Sequence, residues 1–328
     1  MCGAFGCGGG GGGDAGADVP GDVGDAGARD AQTDAQRDGA ARPFECEEEA
    51  TYVATDEPVT RLEWAGAHLL VGMPSALESR HLDLSVVDRE ESPTLSLSAD
   101  AGRVAVFDGS NARLFAIDED GQITASGIID VSGRSVLGLR ESRLFAFRYP
   151  LEARINTVEA LNIEDLTTPL SLGEVQVEGT GPADVQLDGG EAFALDSVES
   201  RLSVIDISDP GAMNVTSTLG IPEITPASEL VVTSVGIFVG SANALVHVDE
   251  SGASVLDTSA GGPLVAFDGA RLATASATQV FIYRVSDAGL DIVRTHDVES
   301  APSALLWRDD ALLIGSADGI RSLPCAIR

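Results

Sequence analysis

Apolar and polar side chains alternate along Arg201-Leu-Ser-Val-Ile-Asp-Ile-Ser-Asp-Pro210. A period of two is the mark of a strand with one buried face, and Asp209-Pro210 ends it in a turn. Versions of the stretch recur at His81–Asp88, Leu114–Asp118, Leu245–Asp249 and Phe281–Asp287. One unit is repeated, and the repeat decides the fold.

Each unit reads as four strands. A first strand follows Pro or Gly, as in Pro58–Trp64, Pro182–Leu187, Pro226–Val231, Pro263–Phe267 and Pro302–Trp307. A hairpin supplies the second and third strands, best seen in Ala105–Ile117, Ile237–Val248 and Leu312–Leu323. The Gly-Ser pairs that begin at 109, 240 and 315 are read as its turn. A fourth strand follows an Asp/Gly/Pro turn at Ile123–Ile129, Val215–Leu219 and Ile292–Asp297. First strands start near 60, 94, 135, 183, 229, 263 and 303, an average period of about 41 residues. That predicts an all-β fold, a seven-bladed β-propeller of four-stranded blades over residues 44–328. Tyr149–Arg154 lengthens the third hairpin.

After Ile320–Leu323 the seventh unit has no fourth strand, while Glu47–Ala54 is a spare strand ahead of the first. Lending it to the last blade removes an exposed edge and closes the ring. Cys46 and Cys325 flank the two strands that then pair, which predicts a disulfide across the closure and an oxidising compartment. The loop it ties implies a nominal entropic stabilisation of about 4 to 5 kcal/mol.

Residues 1–43 are different. Six glycines follow Cys7, then a Gly/Asp/Ala run, so this stretch is expected to be a disordered, solvating tether. It holds seven Asp and three Arg, net −4, which leaves −28 of the total −32 on residues 44–328. The propeller itself is acidic, which argues against nucleic acid and anionic lipid surfaces as partners. All 20 basic residues are Arg. The absence of Lys excludes a pyridoxal phosphate Schiff base, a P-loop Lys and a Ser-Lys dyad. No apolar run reaches the roughly 18 to 20 residues that span a bilayer. Any membrane contact is therefore expected through a lipid anchor, on a monomer.

Two resemblances bear on location. Ala4-Phe-Gly-Cys7 resembles the end of a bacterial lipoprotein signal, in which a small residue precedes the acylated Cys. It departs from that pattern in having Ala4 three residues before the Cys, and in lacking a charged and apolar leader. Two readings stay open: a signal that begins upstream of Met1, or an ordinary thiol. Leu202-Ser-Val-Ile-Asp-Ile-Ser-Asp-Pro210 resembles the LVIVD-type propeller repeats of bacterial and archaeal surface proteins. That resemblance implies the fold and an extracytoplasmic, envelope location, and implies no activity.

First strands line a propeller's channel, and here they carry Glu63, Arg140, Gln186, Glu229 and Arg308. Closure makes the first and last blades neighbours. Trp64 and Trp307, with Glu63 and Arg308 beside them, are thus the candidate ligand-binding group at one channel mouth. Wedging between blades is the competing use of the indoles. His68, His81, His247 and His296 are read as lying in different blades at no ligand spacing. Asp118-Glu-Asp-Gly121 has the acids for calcium but not the twelve-residue loop, and reads as a hairpin turn. Asp88, Asp118, Asp206 and Asp249 are expected to end third strands and cap the turns that follow. No catalytic residue, metal site or cofactor is assigned. The leading expectation is a non-enzymatic envelope scaffold with a protein or glycan partner. The alternative is a metal-dependent propeller enzyme, lactonase- or lyase-like, with a cation in the channel.

Overall fold

The structure is a computed structural model that describes residues 44–46, 50–131, 133–149, 155–221, 227–242, 244–249, 252–257, 262–286 and 289–327. The chain divides into Met1–Arg42, which lies outside the described residues, and Pro43–Arg328. The second unit is a ring of seven four-stranded antiparallel blades. The innermost strands are Arg61–Ala65, Ser96–Asp100, Arg134–Arg140, Pro182–Asp188, Ala227–Thr233, Leu264–Phe267 and Pro302–Arg308. Each begins within a few residues of the position read from the repeat.

Core packing shows why the alternation is imperfect. Every blade is sandwiched between two others, so its middle strands are buried on both faces rather than one. His68–Gly72, Arg271–Ala275 and Ala311–Ser316 are buried throughout. In Arg201–Asp206 the polar Ser203 is as buried as Leu202 and Ile205. The apolar residues form seven clusters, one per seam. Phe193, Leu195 and Leu202 meet Leu230, Val239 and Val246 between blades 4 and 5, for example, and Val59 and Leu69 meet Leu313 and Ile320 between blades 7 and 1. Outer strands such as Asn214–Gly220 keep solvent on one side.

Gly240 and Gly315 lie inside strands, not in the turns to which their Gly-Ser pairs were assigned. A side chain at Gly315 would meet Val59 Cγ1 at 2.5 Å, and one at Gly240 would meet the Gly262 carbonyl at 2.7 Å. The glycines let the next blade approach, and the serines serve the turns: Ser241 Oγ donates to the Ala244 carbonyl at 3.1 Å, and Ser316 Oγ to that of Gly319 at 3.2 Å. Gly109, at φ +104°, is a true turn glycine.

The ring closes as expected, in two pieces. Thr51–Ala54 pairs with Gly319–Ser322, and Phe44–Cys46 pairs with Cys325–Ile327, both antiparallel. Residues 47–49 of the expected strand lie outside the described residues. Cys46 and Cys325 are direct register partners and form a disulfide. Behind it the buried Arg271 guanidinium donates to the carbonyls of Cys325 and Asp309, and lies 4.3 Å above the Trp307 ring.

After the closing strand, Glu57 is tied to blade 1. It accepts from Ser75 N (3.0 Å) and from Arg89 (3.0 Å), and Arg89 also reaches Glu78 at 2.8 Å. Glu78 pairs with Arg80, both side chains almost wholly buried (5% and 4% exposed). Arg80 Nη1 also donates to the carbonyl of Leu84 at 2.8 Å, a residue held at φ +68°. Replacing one partner of a buried pair strands the other charge, which costs about 3–5 kcal/mol. Arg80→Met is expected to lose stability of that order in urea denaturation. A loss below about 1 kcal/mol would show that Arg89 alone satisfies Glu78.

Candidate functional site

Two cavities hold the candidate residues of the first and last blades. The first is the channel, about 370 Å³, lined by residues that include Arg61, Glu63, Ser96, Ser98, Asp184, Gln186 and Glu229. An innermost strand pairs on one side only, so its other edge needs partners for its N–H groups. Channel side chains supply them across the seams. Leu137 and Leu139 N–H donate to Ser96 and Ser98 Oγ at 3.2 and 2.8 Å. Leu230 N–H donates to Asp184 Oδ2 at 2.9 Å, and Val265 N–H to Glu229 Oε2 at 3.2 Å. These polar residues hold one blade to the next.

The same enclosure perturbs the acids. Burial pushes Glu63 up to about 7; the Trp64 N–H opposes this and the Asp184 charge adds to it. Burial also pushes Glu229 up to about 7, against the pull of Arg61 and with Asp184 again adding. Asp184 is raised by burial, opposed by the Leu230 and Val185 N–H groups and by Arg61. Glu63 and Glu229, at about 7, are the two placed to exchange protons near neutrality. Among the described residues no three His, Cys, Asp or Glu side chains gather closely enough to hold one metal ion.

The second cavity, about 320 Å³, sits at the seam of blades 7 and 1, lined by Trp64, Gly66, Ala67, Leu82, Trp307, Arg308 and Asp309. Trp64 Nε1 donates to the Trp307 carbonyl at 2.9 Å, and Trp307 Nε1 to that of Ala266 at 3.2 Å. The indoles thus wedge two successive seams, Trp64 half-buried and Trp307 6% exposed. Leu82 stands 52% exposed at the rim, where Arg308 donates to its carbonyl.

Of the four candidate residues, Trp64, Trp307 and Arg308 share the seam pocket, while Glu63 lines the channel. Glu63 and Trp64 project to different sides of their strand, Glu63 into the channel and Trp64 into the seam pocket. Gln186 and Glu229 reach the channel, but Arg140 and Arg308 turn away to the carbonyls of Gly189 and Leu82. Arg61 and Asp184 were missed. Their positions two residues from Glu63 and Gln186 were the available signal.

Other acids and histidines singled out in the sequence hold turns and seams. Asp118 Oδ1 accepts from Asp120 and Gln122 N–H at 3.0 and 2.8 Å, as a turn requires. Asp206 does the same for Ser208 at 3.0 Å. Asp88 departs from the expectation: it lies in the outer strand Val86–Glu90, because the third strand of blade 1 ends at Arg80. There it accepts from Ile123 N–H of blade 2 at 2.8 Å. His68 and His81 share blade 1, with ring centroids 5.9 Å apart. His247 stacks on Phe238 at 4.9 Å, its Nε2 2.8 Å from the Val235 carbonyl.

The sequence matches neither a protein-family description nor a curated protein. Solved structures do resemble it. Hydrazine synthase of Kuenenia stuttgartiensis aligns with a TM-score of 0.68 at 13% identity, over 85% of this chain and 99% of that one. BamB of Moraxella catarrhalis aligns at 0.56 and 12%, over 85% and 97%. The designed protein Ika8 aligns at 0.57 and 11%, over 84% and 98%. What they share is the fold. Identities this low carry no function across.

Proposed function

We propose that this protein is a non-enzymatic binding or scaffold propeller of the cell envelope. It takes a protein or glycan partner on the face that carries the first-to-second and third-to-outer turns. The seam pocket carries this reading: an indole, an exposed Leu and an Arg surround one surface hollow, the combination that favours protein or sugar contact. The channel acids Asp184 and Glu229, by contrast, already serve backbone N–H groups. The disulfide supports an oxidising compartment. Acylation at Cys7, which lies outside the described residues, is the proposed means of attachment, and the LVIVD-like repeat agrees with a surface location.

A photoreactive residue placed at Leu82 or at Val198 tests this in intact cells. Val198 is 58% exposed in a second-to-third-strand turn and so marks the opposite face. Crosslinks to one defined partner are expected from Leu82 only. Arg308→Ala should reduce them at least tenfold without changing the melting temperature. Crosslinks from Val198 alone, or equally from both, would put the partner elsewhere.

A further inference from the structure

We propose that the Cys46–Cys325 disulfide is a mechanical stop, which prevents a load on the segment preceding Phe44 from peeling the closing strand off the ring. Among the described residues, Phe44–Cys46 and Thr51–Ala54 form the outermost edge of blade 7, with no further strand beyond them. Phe44 faces Ile327, Glu45 faces Ala326 and Cys46 faces Cys325. A pull on Phe44 away from the ring therefore loads these antiparallel pairs one after another from the open end. Each backbone hydrogen bond is worth little net in water, so bonds broken singly resist little.

The disulfide lies at the third pair, before the peel can reach Thr51–Ala54. Its far side is well anchored. Cys325 is fully buried in the cluster between blades 6 and 7, and its carbonyl is held by Arg271 of blade 6. Load thus passes from Cys46 into two blades at once. Without the bond, the peel removes the fourth strand of blade 7 and uncovers the edge of Gly319–Ile327, the one strand whose ring-closing partner comes from the other end of the chain.

The lipid anchor proposed above would be the natural source of such load, but the test does not depend on it. The full chain is stretched in optical tweezers between its N-terminus and a biotinylated residue at Asp209, an exposed turn position of blade 4. The oxidised chain is expected to show no step before the ring ruptures. Tris(2-carboxyethyl)phosphine, which takes oxygen from water and leaves two thiols, should add an early low-force step. Its length is that of Phe44–Ala54, roughly 40 Å at about 3.5 Å per residue. An early step in the oxidised chain would overturn the proposal. So would a reduced chain that ruptures in one event at the same force. A reduced chain already unfolded at zero load would also overturn it, because the bond would then hold the fold and not the tether.

Discussion

Reducing the Cys46–Cys325 bond is expected to lower the melting temperature of this propeller by about 10 °C at neutral pH. The two cysteines are 279 residues apart in sequence, so the bond removes from the unfolded chain nearly all of its freedom to separate its ends. In the chain-entropy account a loop of this length corresponds to about 5 kcal/mol, the upper end of what disulfides deliver. For a domain of this size each kcal/mol moves the midpoint by about 2 °C. The native ring keeps its closing hydrogen bonds after reduction, so the effect acts through the unfolded state. Scanning fluorimetry with and without reductant, and on Cys46→Ser, measures it. A shift under 2 °C in both would mean that the ring's ends stay together in the unfolded chain for another reason.

Stability should also fall as the pH rises from 5 to 8. Glu63 and Glu229 each move from an ordinary value of 4.5 to about 7 in the folded protein. Between those values the native state binds more protons than the unfolded one, so stability decreases with pH across the interval. The full benefit of the protonated carboxyls is present below about pH 4.5 and is lost as the pH passes 7. Each group accounts for about 3 kcal/mol at most. Replacing both by Gln keeps an oxygen to accept the Val265 N–H and removes the charge. The Glu63→Gln/Glu229→Gln variant is expected to be more stable than the parent at pH 8 and equal to it at pH 5. Parallel urea midpoints for parent and variant across this range would mean the channel carboxyls are well solvated. Arg61→Leu should steepen the parent's decline, because Arg61 favours the ionised forms of Glu229 and Asp184.

The chain by itself determined the blade count, the closing strand and the disulfide. These are consequences of short-range pattern: alternation ending at Asp-Pro turns, a period of about 41 residues, and an orphan strand at each end beside a Cys. Such signals survive reading in one dimension because a strand's neighbours in its own blade are its neighbours in sequence. What sits between blades was decided only in three dimensions. Trp64 and Trp307 promised one aromatic patch, but each indole donates into the next blade along, and Glu63, one residue from Trp64, faces the channel instead. Arg61 and Glu63 face Asp184 and Glu229 because blade 1 stands across the ring from blades 4 and 5, about 120 to 170 residues away in the chain. Gly240 and Gly315 looked like turn glycines and are instead the points where a neighbouring blade comes closest. Sequence fixes which residues a strand can offer to each face. Closing seven twisted sheets into a ring fixes what each face meets, and that contact raises the pKa of the channel carboxyls and shapes the seam pocket.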